Sequence, residues 1–200
     1  EGVTRAAPLV RGQVMANKGG RNSGIEIYGI SAEDLMTIPK VAVTPEASYG
    51  DIKRFENGIA IGSGVARELG VSSGDRIKVI SPNGVKTAFG TSPRIKAYEV
   101  TYIFTAGRSD IDRTRVYMRL AQAHSFFNRE GAADEIEVMV EQPEQIDALQ
   151  LDLLRAGGER VQLWTWTDAS GGFLRALKVE DNVMIIILSI LVLTAAMNIV

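Results

Sequence analysis

The sequence predicts an α+β domain that leads into a membrane-spanning helix. Three observations carry this expectation. Residues 183–200 read VMIIILSILVLTAAMNIV, with no charged side chain after Asp181. Upstream, several short runs alternate apolar and polar residues with the period of two that marks half-buried strands. Between these runs lie short segments of helical spacing, opened by Ser or Pro and closed by Gly.

The apolar run sets the frame. At ~1.5 Å of rise per residue it is ~27 Å long, close to the ~30 Å hydrocarbon core of a bilayer. Only Ser189, Thr194 and Asn198 interrupt it. A buried core helix usually keeps one polar stripe, whereas this run is apolar all round, which favours the membrane. Its flank, Arg175, Lys178, Glu180 and Asp181, sums to zero and does not orient the span. The chain begins at Glu1 and stops inside the run, so it is expected to be a segment of a longer protein; no signal-peptide pattern opens it.

Composition narrows the function classes. The 200 residues carry 22 Lys and Arg against 24 Asp and Glu, a net charge of −2, which is no electrostatic footprint for nucleic acid. There is no cysteine, which excludes a disulfide framework and thiolate metal sites. The ~180 residues before the run can bury a core of their own, as one domain or two small ones.

The elements follow in order. Residues 3–16 read as extended, with Pro8 suggesting an edge or entry position. A turn cluster at 17–22 leads to an alternating strand at 24–30, and the pair predicts a hairpin. Ser31 caps a short helix that Pro39 ends. Residues 40–57 give no clear pattern. Residues 59–62 form a short apolar strand; Ser63 is expected to cap a helix over 64–69, with Gly70 as its left-handed terminator. Strands are predicted over 75–80, 97–105 and 115–118, then a helix over 120–127 and a strand over 135–141. Pro143 suits the first turn of a helix over 144–156, which places Ile146, Leu149 and Leu153 on one face. A strand over 161–165 would complete a βαβ or split βαβ unit. A last helix, started by Asp168 or Ser170, runs through Phe173, Leu174 and Leu177 toward the apolar run.

Catalytic constellations are mostly absent. His124 is the single histidine and reads as a partly buried surface residue, since no second histidine shares a metal with it. Gly62-Ser63-Gly64 fails as a nucleophile elbow because Ile61 stands where Gly is needed, and as a dinucleotide loop because Arg67 does. No P-loop occurs. Glu135, Glu137 and Glu141 alternate with Ile136, Val138 and Val140 and read as the solvated face of a strand. Trp164 and Trp166 suit a domain seam or the membrane interface.

The connection SPNGVKTAFGTSPRIK, between strands ending near Ile80 and starting near Ala97, is harder to dismiss. It has about sixteen residues, where a tight hairpin needs two to five. Pro82, Asn83-Gly84, Gly90 and Pro93 shape it, Phe89 sits near its middle, and Lys86, Arg94 and Lys96 make it positive with no acid among them. An aromatic-tipped basic projection suits a docking arm for an acidic or apolar partner.

Three stretches carry a family resemblance: the entry Gly2-Val3, Ala7-Pro8-Leu9, Gly12 and Gly29-Ile30; the block from Ile61 to Val79 with Gly62-Ser63-Gly64, Leu69-Gly70-Val71 and Gly74-Asp75-Arg76; and the exit from Phe173 to Asn182 running into Ala195-Ala196-Met197-Asn198. Together they resemble the periplasmic domain of the LolC/LolE-type permease subunits of the bacterial lipoprotein-releasing ABC transporter, on a MacB-like periplasmic core fold. The resemblance covers essentially the whole chain and contains no catalytic signature. It implies two α+β lobes: a porter-like lobe of residues 1–12 and 117–170, and an inserted β-rich, sabre-like lobe of residues 13–116. A linker helix and the start of a transmembrane helix would fill 171–200.

The same resemblance implies a non-catalytic subunit in the inner membrane, with this segment mostly periplasmic. Its partners would be a second permease subunit, a cytoplasmic LolD-like ATPase, the lipoprotein substrate and a LolA-like periplasmic chaperone, with no cofactor. In the LolC-like branch a hook hairpin near 82–96 would hold the chaperone. Lys86, Thr87, Ala88, Phe89, Gly90, Thr91, Ser92, Pro93 and Arg94 fall there, with Thr87, Gly90 and Pro93 in the expected places and different flanking residues. Macrolide-exporter permeases share the fold but have a short turn at this point. The alternatives are a small-molecule exporter of that kind, a permease regulating cell-wall hydrolases, and a membrane-anchored binding domain or enzyme.

Overall fold

Pairing of β-strands organises the first part of the molecule. The computed structural model describes residues 2–87, 90–158 and 161–199. They divide into two compact units, Glu1–Val140 and Glu141–Val200.

The first unit is a mixed sheet with short helices. Its strands are β1 (Val3–Lys18), β2 (Arg21–Ile30), β3 (Ala47–Gly50), β4 (Ile59–Gly62), β5 (Arg76–Thr87), β6 (Gly90–Thr105), β7 (Arg115–Arg119) and β8 (Glu135–Val140). The helices are α1 (Ala32–Thr37), α2 (Ser63–Leu69), α3 (Ser109–Thr114) and α4 (Leu120–Phe127). The strand order is β2-β7-β4-β6-β5-β1, and β1 pairs back onto β2, so six strands close a ring. Closure removes the free edges of those six strands. The β2–β7 and β4–β6 pairs are parallel; the rest are antiparallel. β3 pairs with the last residues of β6, Tyr102–Thr105, beyond the stretch paired with β5, and β8 pairs with the first half of β1.

Alternation decides which side chains fill the ring. On β5, Ile77 and Val79 are buried while Arg76 and Lys78 are exposed. Every ring strand contributes to the same core, through residues such as Val14, Ile27, Ile61, Ile77, Val100 and Val116. Val65 and Leu69 of α2, with Ala123 and Phe126 of α4, complete it. A second core lies on the other face of the sheet. There Tyr28, Phe104 and Tyr117 pack with Leu35 of α1 and Phe55 of a following short turn. The predicted hairpin at the start is β1–β2, joined by Gly19 and Gly20, both at positive φ. Ser31 caps α1 by accepting from the Asp34 amide, as the sequence suggested.

Several sequence expectations are corrected. Ser63 is not the cap of α2. Gly62 holds that position, no side chain caps the helix, and Ser63 is its first residue. The terminator is as expected, with Gly70 left-handed at φ 65° and ψ 46°. Residues 40–57, which carry no clear period, form a single wide helical turn at Pro39–Val43, then β3, then a tight turn at Ile52–Asn57. The acidic side chains of β8 do not form a free wet face. Glu135 pairs with Arg11 at 2.9 Å and Glu137 with Arg5, while Ile136 is the more exposed residue.

The second unit holds α5 (Ile146–Gly157) and α6 (Trp166–Ile199). Ile146, Leu149 and Leu153 share the less exposed face of α5, as the spacing predicts. Residues 161–165 form no strand, so the expected βαβ unit is absent. The physical reason is that Thr165 is taken by the next helix. Its amide and hydroxyl donate to Asp168 Oδ2 at 2.9 and 2.8 Å, a reciprocal cap of the Thr-x-x-acid kind that opens α6. From Val179 to Met197 this helix is apolar enough to cross a membrane, with mean hydropathy 2.0 and no burial by the rest of the molecule.

Candidate partner-binding hairpin

The docking arm expected from the sequence is a ladder rather than an open loop. β5 and β6 stay paired beyond the ring, through Val85↔Ser92, Lys86↔Thr91 and Thr87↔Gly90. The sequence placed the strand ends near Ile80 and Ala97. The alternation did not show the extension, because two prolines and two glycines break it there; a hairpin near 82–96 was expected only from the family resemblance. No other strand pairs with residues 81–94 among the described residues, so this part of the hairpin stands on its own two strands. Ala88 and Phe89, expected at its tip, lie outside the described residues.

A bulge marks where the hairpin leaves the ring. The register runs Ser81↔Arg94, then Val85↔Ser92, so Pro82, Asn83 and Gly84 stand opposite Pro93 alone. Both prolines sit at the irregularity, where the ladder needs no amide donor. Gly84 permits a close backbone approach: a Cβ there would stand 1.5 Å from the Ser92 carbonyl oxygen. The bulge therefore depends on these residue types.

The expected site residues separate into two groups. Lys86, Thr87, Gly90, Thr91 and Ser92 belong to the distal ladder, with Ser92 exposed, and Pro93 is exposed at the irregularity beside it. Arg94 behaves differently. Its Nη1 donates to the carbonyl oxygens of Ser125 at 2.7 Å and Phe126 at 2.6 Å. Those carbonyls belong to the last turn of α4, where a helix has no partners of its own for them. A cation at a helix C-terminus is also favoured by the helix dipole. Asn128, left-handed at φ 58°, ends the helix, and the Asn128 and Arg129 amides donate to the His124 carbonyl. His124 itself is half-buried in that turn.

Below Arg94, Lys96 lies over the Tyr98 ring, with Nζ 5.4 Å from its centroid. Tyr98 is 4% exposed and meets Phe126 edge-on at 6.1 Å. Burial pushes its phenol up to about 12, against a smaller lowering by Arg94. Of the three cations that made the arm look basic, Arg94 and Lys96 are thus engaged with their own domain. The sequence alone could not reveal this, because Arg94 and Ser125 are separated by 31 positions.

A second polar cluster lies where β8 meets the ring. Arg11 Nε and Nη2 both reach Glu26 Oε1, at 2.7 and 2.6 Å, and Arg11 Nη1 reaches Glu135. The Tyr28 hydroxyl donates to Glu26 Oε2 at 2.9 Å, and Arg115 lies 4.3 Å from the Tyr28 ring centroid. Burial raises the Glu26 carboxyl, but hydrogen bonds from Arg11 and Tyr28 outweigh it and hold it below its ordinary value. This cluster fastens β8 to the ring. Among the described residues, no three His, Cys, Asp or Glu side chains are grouped to hold a metal.

Residues 1–156 match the model of the MacB-like periplasmic core domain. The chain belongs to the MacB-like periplasmic core domain family. This MacB-like chain is 26% identical over 202 residues to a protein of Neisseria meningitidis serogroup B named lipoprotein-releasing system transmembrane protein LolC; the match covers 100% of this chain and 49% of that protein. It is also 26% identical to the LolC protein of Xylella fastidiosa strain 9a5c, over 99% of this chain and 48% of the relative. The LolE protein of Haemophilus influenzae is 21% identical over 97% of this chain and 47% of its own length. The MacB-like chain spans about half the length of the curated relatives it matches. Among solved structures, the extracellular domain of the noncanonic ABC-type transporter YknZ from Gram-positive bacteria aligns with TM-score 0.48 and 16% identity, over 74% of this chain and 71% of that one.

Proposed function

We propose that this chain is the periplasmic part, with one following membrane span, of an ABC transporter permease subunit that releases lipoproteins from the inner membrane. The observation that supports the reading most is the likeness, along the whole of this chain and about half of each relative, to proteins named for lipoprotein release, in a chain whose β5–β6 hairpin extends beyond its ring. The distal hairpin, from Lys86 to Pro93, holds a soluble LolA-like chaperone that receives the lipid-modified cargo. A second permease subunit and a LolD-like ATPase complete the assembly. ATP hydrolysis takes place in the ATPase, and this chain performs no covalent chemistry. Work reaches it through the membrane helices; α6 is a suitable rod because its backbone hydrogen bonds are internal. The division into a porter-like lobe of residues 1–12 and 117–170 and an inserted lobe of residues 13–116 belongs to this proposal.

Co-elution of the full chain in lipid nanodiscs with the purified chaperone tests the reading. The complex is expected to form with the intact chain and to be lost when residues 85–92 are replaced by Asn-Gly, which leaves Arg94 in place. Binding that survives the replacement removes the hairpin from the proposal. If the intact chain does not bind, small-molecule export on the same fold becomes the better reading.

A further inference from the structure

The hairpin has a weak point and a clamp beside it. Distal to the Ser81↔Arg94 pair, three residues of β5 face one of β6, and no third strand supports the pair among the described residues. A two-stranded ribbon with an interrupted ladder is marginal in water and does not hold a fixed direction by itself. Arg94 is the last residue paired before that interruption. Its guanidinium leaves the ladder and grips two carbonyls of α4, the helix whose Ala123 and Phe126 are packed into the ring core. The grip is charge-assisted and uses acceptors that the helix leaves open.

We infer that Arg94 is a positioning residue: it sets the direction in which the distal hairpin leaves the ring by holding the last turn of α4, and it does not itself contact the partner. The consequence for partner capture rests on the function proposed above. A lysine at this position keeps the charge and can reach one carbonyl, whereas a methionine keeps only the bulk.

The test uses the full chain in nanodiscs, which has no cysteine of its own. Spin labels are placed on Ser92→Cys, beyond the bulge, and Ala121→Cys, on the exposed side of α4. The distance distribution between them is expected to be narrow, at least about twofold broader in Arg94→Met, and intermediate in Arg94→Lys. Chaperone affinity is expected to fall in the same order, about tenfold in Arg94→Met, the scale of one charge-assisted hydrogen bond. Thermal melting of each variant checks that the ring stays folded. An unchanged width in Arg94→Met overturns the inference, and if affinity falls all the same, Arg94 touches the partner directly. A broader distribution with unchanged affinity supports Arg94 as the residue that sets the hairpin's direction and overturns only its consequence for partner capture. If even the parent chain fails to bind the chaperone, the proposed function fails, while the widths still decide whether Arg94 sets the hairpin's direction.

Discussion

Glu26 shows how much a single side chain can carry in this fold. It takes two nitrogens of Arg11 and the hydroxyl of Tyr28, beside the strand that joins last in sequence. Its folded carboxyl titrates below the usual value of 4.5. The stability it contributes is therefore present above that value and is lost as pH falls through the depressed folded one. Melting temperature measured from pH ~6 down to ~3 should fall, and Glu26→Gln should flatten that fall. A slope unchanged in the variant would assign the acid sensitivity to other carboxylates. Gly29 makes a different point. A Cβ there would stand 2.3 Å from the Cβ of Ala123 on α4. Gly29→Ala should cost about 1–3 kcal/mol by overpacking, read as a lower denaturation midpoint. An unchanged midpoint would mean that α4 yields freely.

At the scale of elements, the caps and the bulge are the testable parts. Thr165→Ala removes both bonds to Asp168 and should cost about 1 kcal/mol at the start of α6, seen as faster amide exchange in its first turn. Gly84→Ala drives a side chain into the Ser92 carbonyl and should change the amide exchange pattern of the distal ladder while leaving β1–β2 untouched. Much of this level was readable in advance. The β1–β2 hairpin, α1 with its Ser31 cap, Gly70 and the span of α4 all follow local rules that act over a few residues. The failures share one cause. Residues 161–165 had strand composition, but among the described residues no strand pairs with them, and Thr165 serves a helix instead. The hairpin extension carried the wrong local pattern, so only the family resemblance anticipated it; it is paired because its partner strand supplies what the pattern lacks. The role of Arg94 was illegible for the same reason: its acceptors come from a distant helix.

For the whole molecule, the composition of α6 is decisive. The stretch Val179–Met197 is uncovered by the rest of the chain, and an apolar surface of that size is not tolerated in water. The full chain should sediment with membranes and require detergent to release it. After reconstitution into liposomes, its last span should survive protease while the first unit is digested from one side. Digestion of the span would remove the membrane reading. Closure of the ring was not legible in the sequence, since no local pattern says that β1 returns to β2. It follows only once both edges of β1 are seen to be occupied.

That first strand has a mechanical consequence. Val3 to Leu9 is bonded along its length to β8, and Val10 to Lys18 continues the same backbone into the ring. Tension applied at Val3 along the strand loads the β8 ladder in shear, so its bonds share the force, whereas tension across it would unzip them singly. Single-molecule pulling between positions 3 and 135, at opposite ends of the antiparallel pair, should therefore need a larger rupture force than pulling between 3 and 140, at the same end. A tether of this geometry transmits a tug without yielding to it.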